Sequence, residues 1–121
     1  MSQKYRVFID GQAGTTGLQI QQRLARHPRI EMLHIDEALR KDAAARQALM
    51  KQADVSILCL PDAAAREAVA LADAVGARVL DASSAHRVDA DWVYGLPELA
   101  AGQREKIRAA SHVSNPGCYA T

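Results

Sequence analysis

Aromatic side chains are scarce in this chain: one Trp, one Phe and three Tyr among 121 residues. That scarcity, together with abundant alanine, argues against an all-β sandwich and for helices packed on a sheet. Cysteine is scarce too. The two present, Cys59 and Cys118, are too few for a disulfide framework and point to a reducing, cytoplasmic compartment. No charge of one sign accumulates. Fifteen basic residues stand against fourteen acidic ones, without clustering, so no nucleic-acid partner is expected. No apolar run approaches the roughly 20 residues that span a bilayer, and Met1–Arg6 leads directly into a strand-like segment, so neither a membrane partner nor a signal peptide is expected. What remains is a chain 49% hydrophobic and 24% charged, the balance of a globular domain with a real core, and free of internal repeats or low-complexity linkers.

Strand and helix signals alternate. Tyr5–Asp10 is β-branched and aromatic enough for a buried strand. Thr16–His27 has Gly17, Ile20 and Leu24 at helical spacing and stops before Pro28. Ile30–Asp36 reads as a second strand, and Glu37–Gln52, rich in Ala, Arg, Lys and Gln, as one helix. The apolar run Val55–Leu60 suits a strand covered on both faces. Pro61-Asp62 opens a helix whose Ala64, Ala68, Leu71, Ala72 and Val75 share a face, with Gly76 at its C-terminal cap. Arg78–Asp81 is a fourth strand. A polar loop over Ala82–Pro97, a helix over Glu98–Ala110 and a fifth strand at His112–Ser114 complete the pattern. The expected fold is α/β, a Rossmann-like parallel sheet with helices on both faces, in a single domain.

Between the first strand and helix lies Gly11-Gln12-Ala13-Gly14-Thr15-Thr16-Gly17, spaced G-x-x-G-x-x-G. Glycine allows a tight turn and a close approach of backbone to a diphosphate, and the helix start offers unpaired N–H groups to it. Thr15 and Thr16 can add hydroxyl donors. Three glycines also make a plain turn. The position, at the first strand-to-helix junction of an alternating chain, favours a dinucleotide. Asp36 sits where a ribose-binding acid stands in NAD sites, or equally where a helix N-cap belongs. Arg40 and Lys41 follow and can offer charge to the 2′-phosphate of NADP, so the residues leave both cofactors open.

At the other end, a strand runs into Asn115-Pro116-Gly117-Cys118. A thiol held on such a turn at a helix start has its thiolate stabilised by the dipole and free N–H groups, as a nucleophile requires. A buried structural cysteine is the alternative. Cys59, amid Ile57, Leu58 and Leu60, reads as an inert core residue in mid-strand.

Five segments together resemble N-acetyl-gamma-glutamyl-phosphate reductases of the shorter, second type. They are Gly11–Leu18, Cys59–Asp62, Asp81–Arg87, Tyr94–Leu99 and Ser114–Thr121, collinear over essentially the whole chain. An aspartate-semialdehyde dehydrogenase-like reductase is a second possibility, and a non-catalytic nucleotide-binding module a third. The resemblance implies an enzyme, an oxidoreductase of arginine biosynthesis in the cytoplasm. Its reaction is NADPH-dependent reductive dephosphorylation of an acyl phosphate, through a thioester on Cys118. It implies cofactor contacts from Gly11, Gly14, Thr15, Thr16, Gly17, Asp36, Ser83 and Asn115, with orienting the cysteine turn as the alternative for Asn115. His86, Arg87 and Glu98 are substrate-side candidates, each with an alternative: bracing the loop for His86 and Arg87, starting a helix for Glu98. Metal ligands are not expected. The resemblance further implies a substrate domain beyond Thr121 that carries the catalytic histidine, a homo-oligomer at full length, and no turnover from residues 1–121 alone.

Overall fold

A computed structural model describes residues 4–11, 15–83, 85–86 and 89–115. In chain order these form β1 (Tyr5–Asp10), α1 (Thr15–Ala25), β2 (Ile30–Leu33), a 3-10 turn at Glu37–Leu39, α2 (Ala43–Gln52), β3 (Val55–Leu58), α3 (Asp62–Ala74), β4 (Val79–Asp81), β5 (Val93–Tyr94), α4 (Gln103–Ala109) and β6 (His112–Ser114). The strands make one sheet in the order β2-β1-β3-β4-β6-β5, every pair parallel. Parallel neighbours need crossovers, and the helices supply them.

Side chains alternate between the two faces of the sheet. On one face Phe8, Leu58 and Val79 pack with Met50 of α2 and Ala68, Val69 and Ala72 of α3. On the other, Val7, Ile9 and Ile57 pack with Ile20 and Leu24 of α1. Helices therefore cover both faces, as the alternating pattern predicts. Phe8, Ile9, Met50 and Leu58 are fully buried, each contributing about 1.5–3 kcal/mol.

Several expected boundaries are corrected. The segment Glu37–Gln52 is not one helix. Asp36 caps the 3-10 turn by accepting from the Ala38 N–H, and Asp42 caps α2 by accepting from the Ala45 N–H, so the chain starts twice. The expected helix over Glu98–Ala110 begins only at Gln103. Gly102 precedes it at φ 82°, a left-handed position from which a helix is entered afresh rather than continued. The loop Ala82–Pro97 contains β5, two residues too short to show periodicity, so His112–Ser114 is the sixth strand and not the fifth. Strand β2 stops at Leu33 rather than Asp36, and α1 at Ala25 rather than His27. Cys59 lies just past the end of β3 and not in mid-strand. Gly76 follows α3 at φ 67°, as a C-terminal capping glycine does.

Candidate active site

The strand order reverses direction between β1 and β3: the chain moves outward from β1 to β2, then crosses back over β1 to β3. Crevices at the carboxyl ends of strands flanking such a reversal are where open α/β sheets bind ligands. A cavity of about 370 Å³ opens there. Its floor is Ile9, Asp10 and Gly11 at the end of β1. Ile35, Arg40, Lys41 and Arg46 wall one side, and Leu60, Ala64 and Glu67 the other.

Gly11 has φ 92°, and a Cβ at this position would stand 2.3 Å from the Cys59 carbonyl oxygen. Only glycine lets the two backbones approach this closely. Gly17 is buried within α1. Gly14 lies outside the described residues, as do the side chains of Thr15 and Thr16, whose backbone opens α1. Asp36 is exposed and its Oδ1 accepts from the Ala38 N–H at 3.1 Å, the capping geometry that competed with ribose binding in the sequence. Arg40 and Lys41 line the cavity beside it.

One residue that the sequence reading passed over is central here. Arg46 of α2 is buried, with Nε donating to Asp10 Oδ1 at 3.2 Å and Oδ2 at 3.0 Å and Nη2 donating to Oδ2 at 2.6 Å. Its signal was available: Arg46 shares a helix face with Met50, and Asp10 directly follows the apolar run Val7–Ile9. A charge on each of two buried faces implies a partner for both.

Further along the rim, Asp81 ends β4 fully buried. It accepts from the Ser83 N–H and the Ser83 hydroxyl, both at 2.9 Å, and lies 2.7 Å from His86 Nδ1. Ser83 is thus folded back onto Asp81. His86 is buried and stacks on Trp92 at 4.2 Å between ring centroids, and Trp92 stacks on His112 at 4.8 Å. His112 Nε2 in turn lies 2.5 Å from Asp73 Oδ1 of α3. Through these contacts His86 holds the segment after β4 in place, and Trp92 is a second such residue that the sequence did not single out. Asn115 is exposed, and its N–H donates to the Asp81 carbonyl at 2.8 Å, so the chain leaves β6 at the same rim as Gly11. Three strand spacings separate the ends of β1 and β6, about 14 Å. Glu98 is exposed and lies before α4 in a turn, which removes its reading as a helix-start residue. Arg87 and Cys118 lie outside the described residues.

Cys59 packs with the α1-side core, and its thiol is pushed up from 9.0 to about 11, by burial first and then by the carboxylates of Asp10 and Asp81. A thiol so protonated is a poor nucleophile, in keeping with an inert role.

Residues 36–110 match the family model described as "Semialdehyde dehydrogenase, NAD binding domain", which is more than half of the chain. The chain belongs to that family. Curated relatives lie close in sequence to this NAD-binding domain. "N-acetyl-gamma-glutamyl-phosphate reductase 2" of a Nostoc species is 56% identical over 98% of this chain and 37% of its own length. The N-acetyl-gamma-glutamyl-phosphate reductase of Sinorhizobium fredii is 55% identical over 98% of this chain and 39% of its own. The chain therefore spans under two fifths of the curated relatives it matches. Among solved structures, aspartate semialdehyde dehydrogenase II of Vibrio cholerae superposes with a TM-score of 0.69 at 17% identity, over 97% of this chain and 39% of that one. The Francisella tularensis aspartate semialdehyde dehydrogenase gives 0.68, also at 17%, over 93% of this chain and 36% of that one. At that identity the likeness establishes the Rossmann-like fold of this NAD-binding domain. Among the described residues no helix is long and apolar enough to cross a membrane.

Proposed function

We propose that the chain is the dinucleotide-binding and nucleophile-bearing part of an NADPH-dependent N-acetyl-gamma-glutamyl-phosphate reductase of arginine biosynthesis, with Cys118 as nucleophile. The observation that carries this reading is the shared rim. The glycine turn after β1 and the exit of β6 toward Cys118 both open at the carboxyl edge of one parallel sheet. The high identity to relatives bearing that name supports the substrate class.

A nicotinamide dinucleotide fits the residues present. The backbone at Gly11 makes a cradle that any side chain would fill, beside a cavity at the strand-order reversal. When bound, NADPH supplies the hydride that reduces the acyl group. The chain's own residues bind and orient. Gly11, Gly14, Gly17, Thr15 and Thr16 form the diphosphate cradle at the start of α1. Arg40 and Lys41 on the cavity wall present charge to a 2′-phosphate, the basis for preferring NADP over NAD. Asp36, Ser83 and Asn115 are the further cofactor contacts of this reading, the first two sitting in turns that their own side chains hold. The Cys118 thiolate attacks the acyl-phosphate carbonyl, a C–S bond forms as the C–O bond to phosphate breaks, and phosphate leaves. The hydride that the bound dinucleotide would supply would release the acyl group from sulfur as the aldehyde, N-acetyl-L-glutamate 5-semialdehyde, and return the Cys118 thiolate. His86, Arg87 and Glu98 are the substrate-side candidates of this reading. Residues 1–121 form the cofactor domain in this reading, with a substrate domain beyond Thr121 and a cytoplasmic homo-oligomer at full length.

The test is made on the full-length protein. Cys118→Ala is expected to abolish NADPH-dependent reduction of the acyl phosphate and leave NADPH binding within about twofold. Iodoacetamide should label Cys118 selectively, and the acyl phosphate should protect it. Undiminished turnover by Cys118→Ala would refute the assignment. Replacing Arg40 and Lys41 together by alanine should raise the KM for NADPH about tenfold or more while sparing that for NADH.

A further inference from the structure

We propose that the Asp10–Arg46 pair is a positioning device for the cofactor: Arg46 cancels a carboxylate charge directly under the glycine turn, so that an anionic diphosphate can settle there. The inference rests on the dinucleotide reading above and assigns a role to two residues that the reading does not use. Asp10 immediately precedes Gly11, is nearly fully buried, and forms the cavity floor. Left ionised and alone, a carboxylate at this place would repel the phosphates that the helix start attracts. Arg46 meets it with three hydrogen bonds between 2.6 and 3.2 Å, from a helix that also walls the cavity.

Stability alone is a weak reason for such a pair. Taking two charges out of water is costly, and an apolar pair of similar volume is often as stable or more so. The neighbouring core on this face, Phe8, Met50 and Leu58, is built that way. A pair at the cavity floor does what an apolar pair does not: it holds α2 against the end of β1 by a directional contact. It also fixes the local charge near zero while leaving Arg40 and Lys41 free to act further out on the wall.

The two partners consequently have opposite signs of effect on cofactor binding, which a merely structural role does not produce. In the full-length protein, NADPH affinity is read by fluorescence titration, with thermal unfolding recorded beside it. Asp10→Asn keeps the shape and leaves the Arg46 cation uncompensated, so NADPH should bind about threefold more tightly, and the gain should fade as salt is raised. Arg46→Gln should weaken NADPH about fivefold or more. The Asp10→Asn/Arg46→Gln double variant, a neutral pair, should return to within about twofold of wild type even where its melting temperature does not. If Arg46→Gln does not fold, the Asp10→Asn and double variants still decide. Weaker binding by Asp10→Asn, or equal binding at all salt concentrations, overturns the inference and leaves the dinucleotide reading standing. Failure of the wild-type protein to bind NADPH overturns both.

Discussion

Two glycines with positive φ meet quite different surroundings. At Gly76 a Cβ would touch nothing within 4 Å, whereas at Gly11 it would strike the Cys59 carbonyl. Gly76→Ala is accordingly expected to cost only the conformational term, about 1 kcal/mol. Gly11→Ala should cost about 3 kcal/mol or more and abolish tight dinucleotide binding, because neither backbone can retreat. Urea unfolding of both variants checks the ordering, and equal losses would mean that the close approach at Gly11 is unimportant. Cys59 makes a second prediction at this scale. With its thiol at about 11 in the fold against 9.0 ordinarily, the native protein holds roughly a hundredfold less Cys59 thiolate at neutral pH than the unfolded chain. Native Cys59 should therefore alkylate far more slowly than Cys59 in urea, as peptide mapping would report. The sign for stability follows from the raised value: the unfolded thiol ionises first. The contribution is thus fully present below pH 9 and is lost as pH rises through about 11. At this scale the glycine turn and the inertness of Cys59 were legible from residue type and neighbours. Arg46 was legible only as a charge on a buried helix face; which residue it pairs with, 36 positions away, was not.

Elements were legible wherever burial was periodic, and misread wherever a side chain competed for the backbone. Each apolar strand stood out as a continuous run covered on both faces, and the alanine-rich α3 because one of its faces is buried. Glu37–Gln52 carried helix-forming composition throughout, yet Asp42 diverts the backbone by accepting from the Ala45 N–H at 3.0 Å. The cap has a consequence for the site, since α2 carries Arg46 one turn later. Asp42→Ala is expected to lose about 1 kcal/mol and to weaken NADPH binding modestly by loosening α2, whereas Asp42→Ser should retain most of both. Binding unaffected by Asp42→Ala would show that the position of Arg46 does not depend on the start of its helix. Strand β5 escaped notice for a different reason: two residues define no period, and its existence depends on β6, with Gly95 N–H donating to the Ser114 carbonyl.

For the molecule as a whole, the parallel sheet, its coverage on both faces and the placement of the glycine turn at a carboxyl edge all followed from the alternation of strand and helix signals. The order β4-β6-β5 did not, because pairing across an intervening strand has no local signature. The bracing of the rim was equally hidden. Asp81, His86, Trp92, His112 and Asp73 come from a strand, a loop, a second strand and a helix, and only the tertiary fold lines them up. Under the proposed function, the polypeptide of residues 1–121 made alone should bind NADPH weakly and show no turnover, while the full-length protein turns over. Wild-type-like steady-state activity from the 121 residues would contradict the division of labour between the domains.

The docking of His112–Ser114 against Val79–Asp81, with Val93–Tyr94 on its outer side, has a bearing on biosynthesis. A nascent chain that has emerged from the ribosome only as far as residue 110 carries the Gly11 turn and its Asp10–Arg46 floor, but has no strand to extend the ledge past Asp81. The sheet then ends at β4, an open hydrogen-bonding edge. Until His112–Ser114 is delivered, β4 keeps this edge unpaired, so stalled shorter chains are templates for unwanted edge-to-edge pairing.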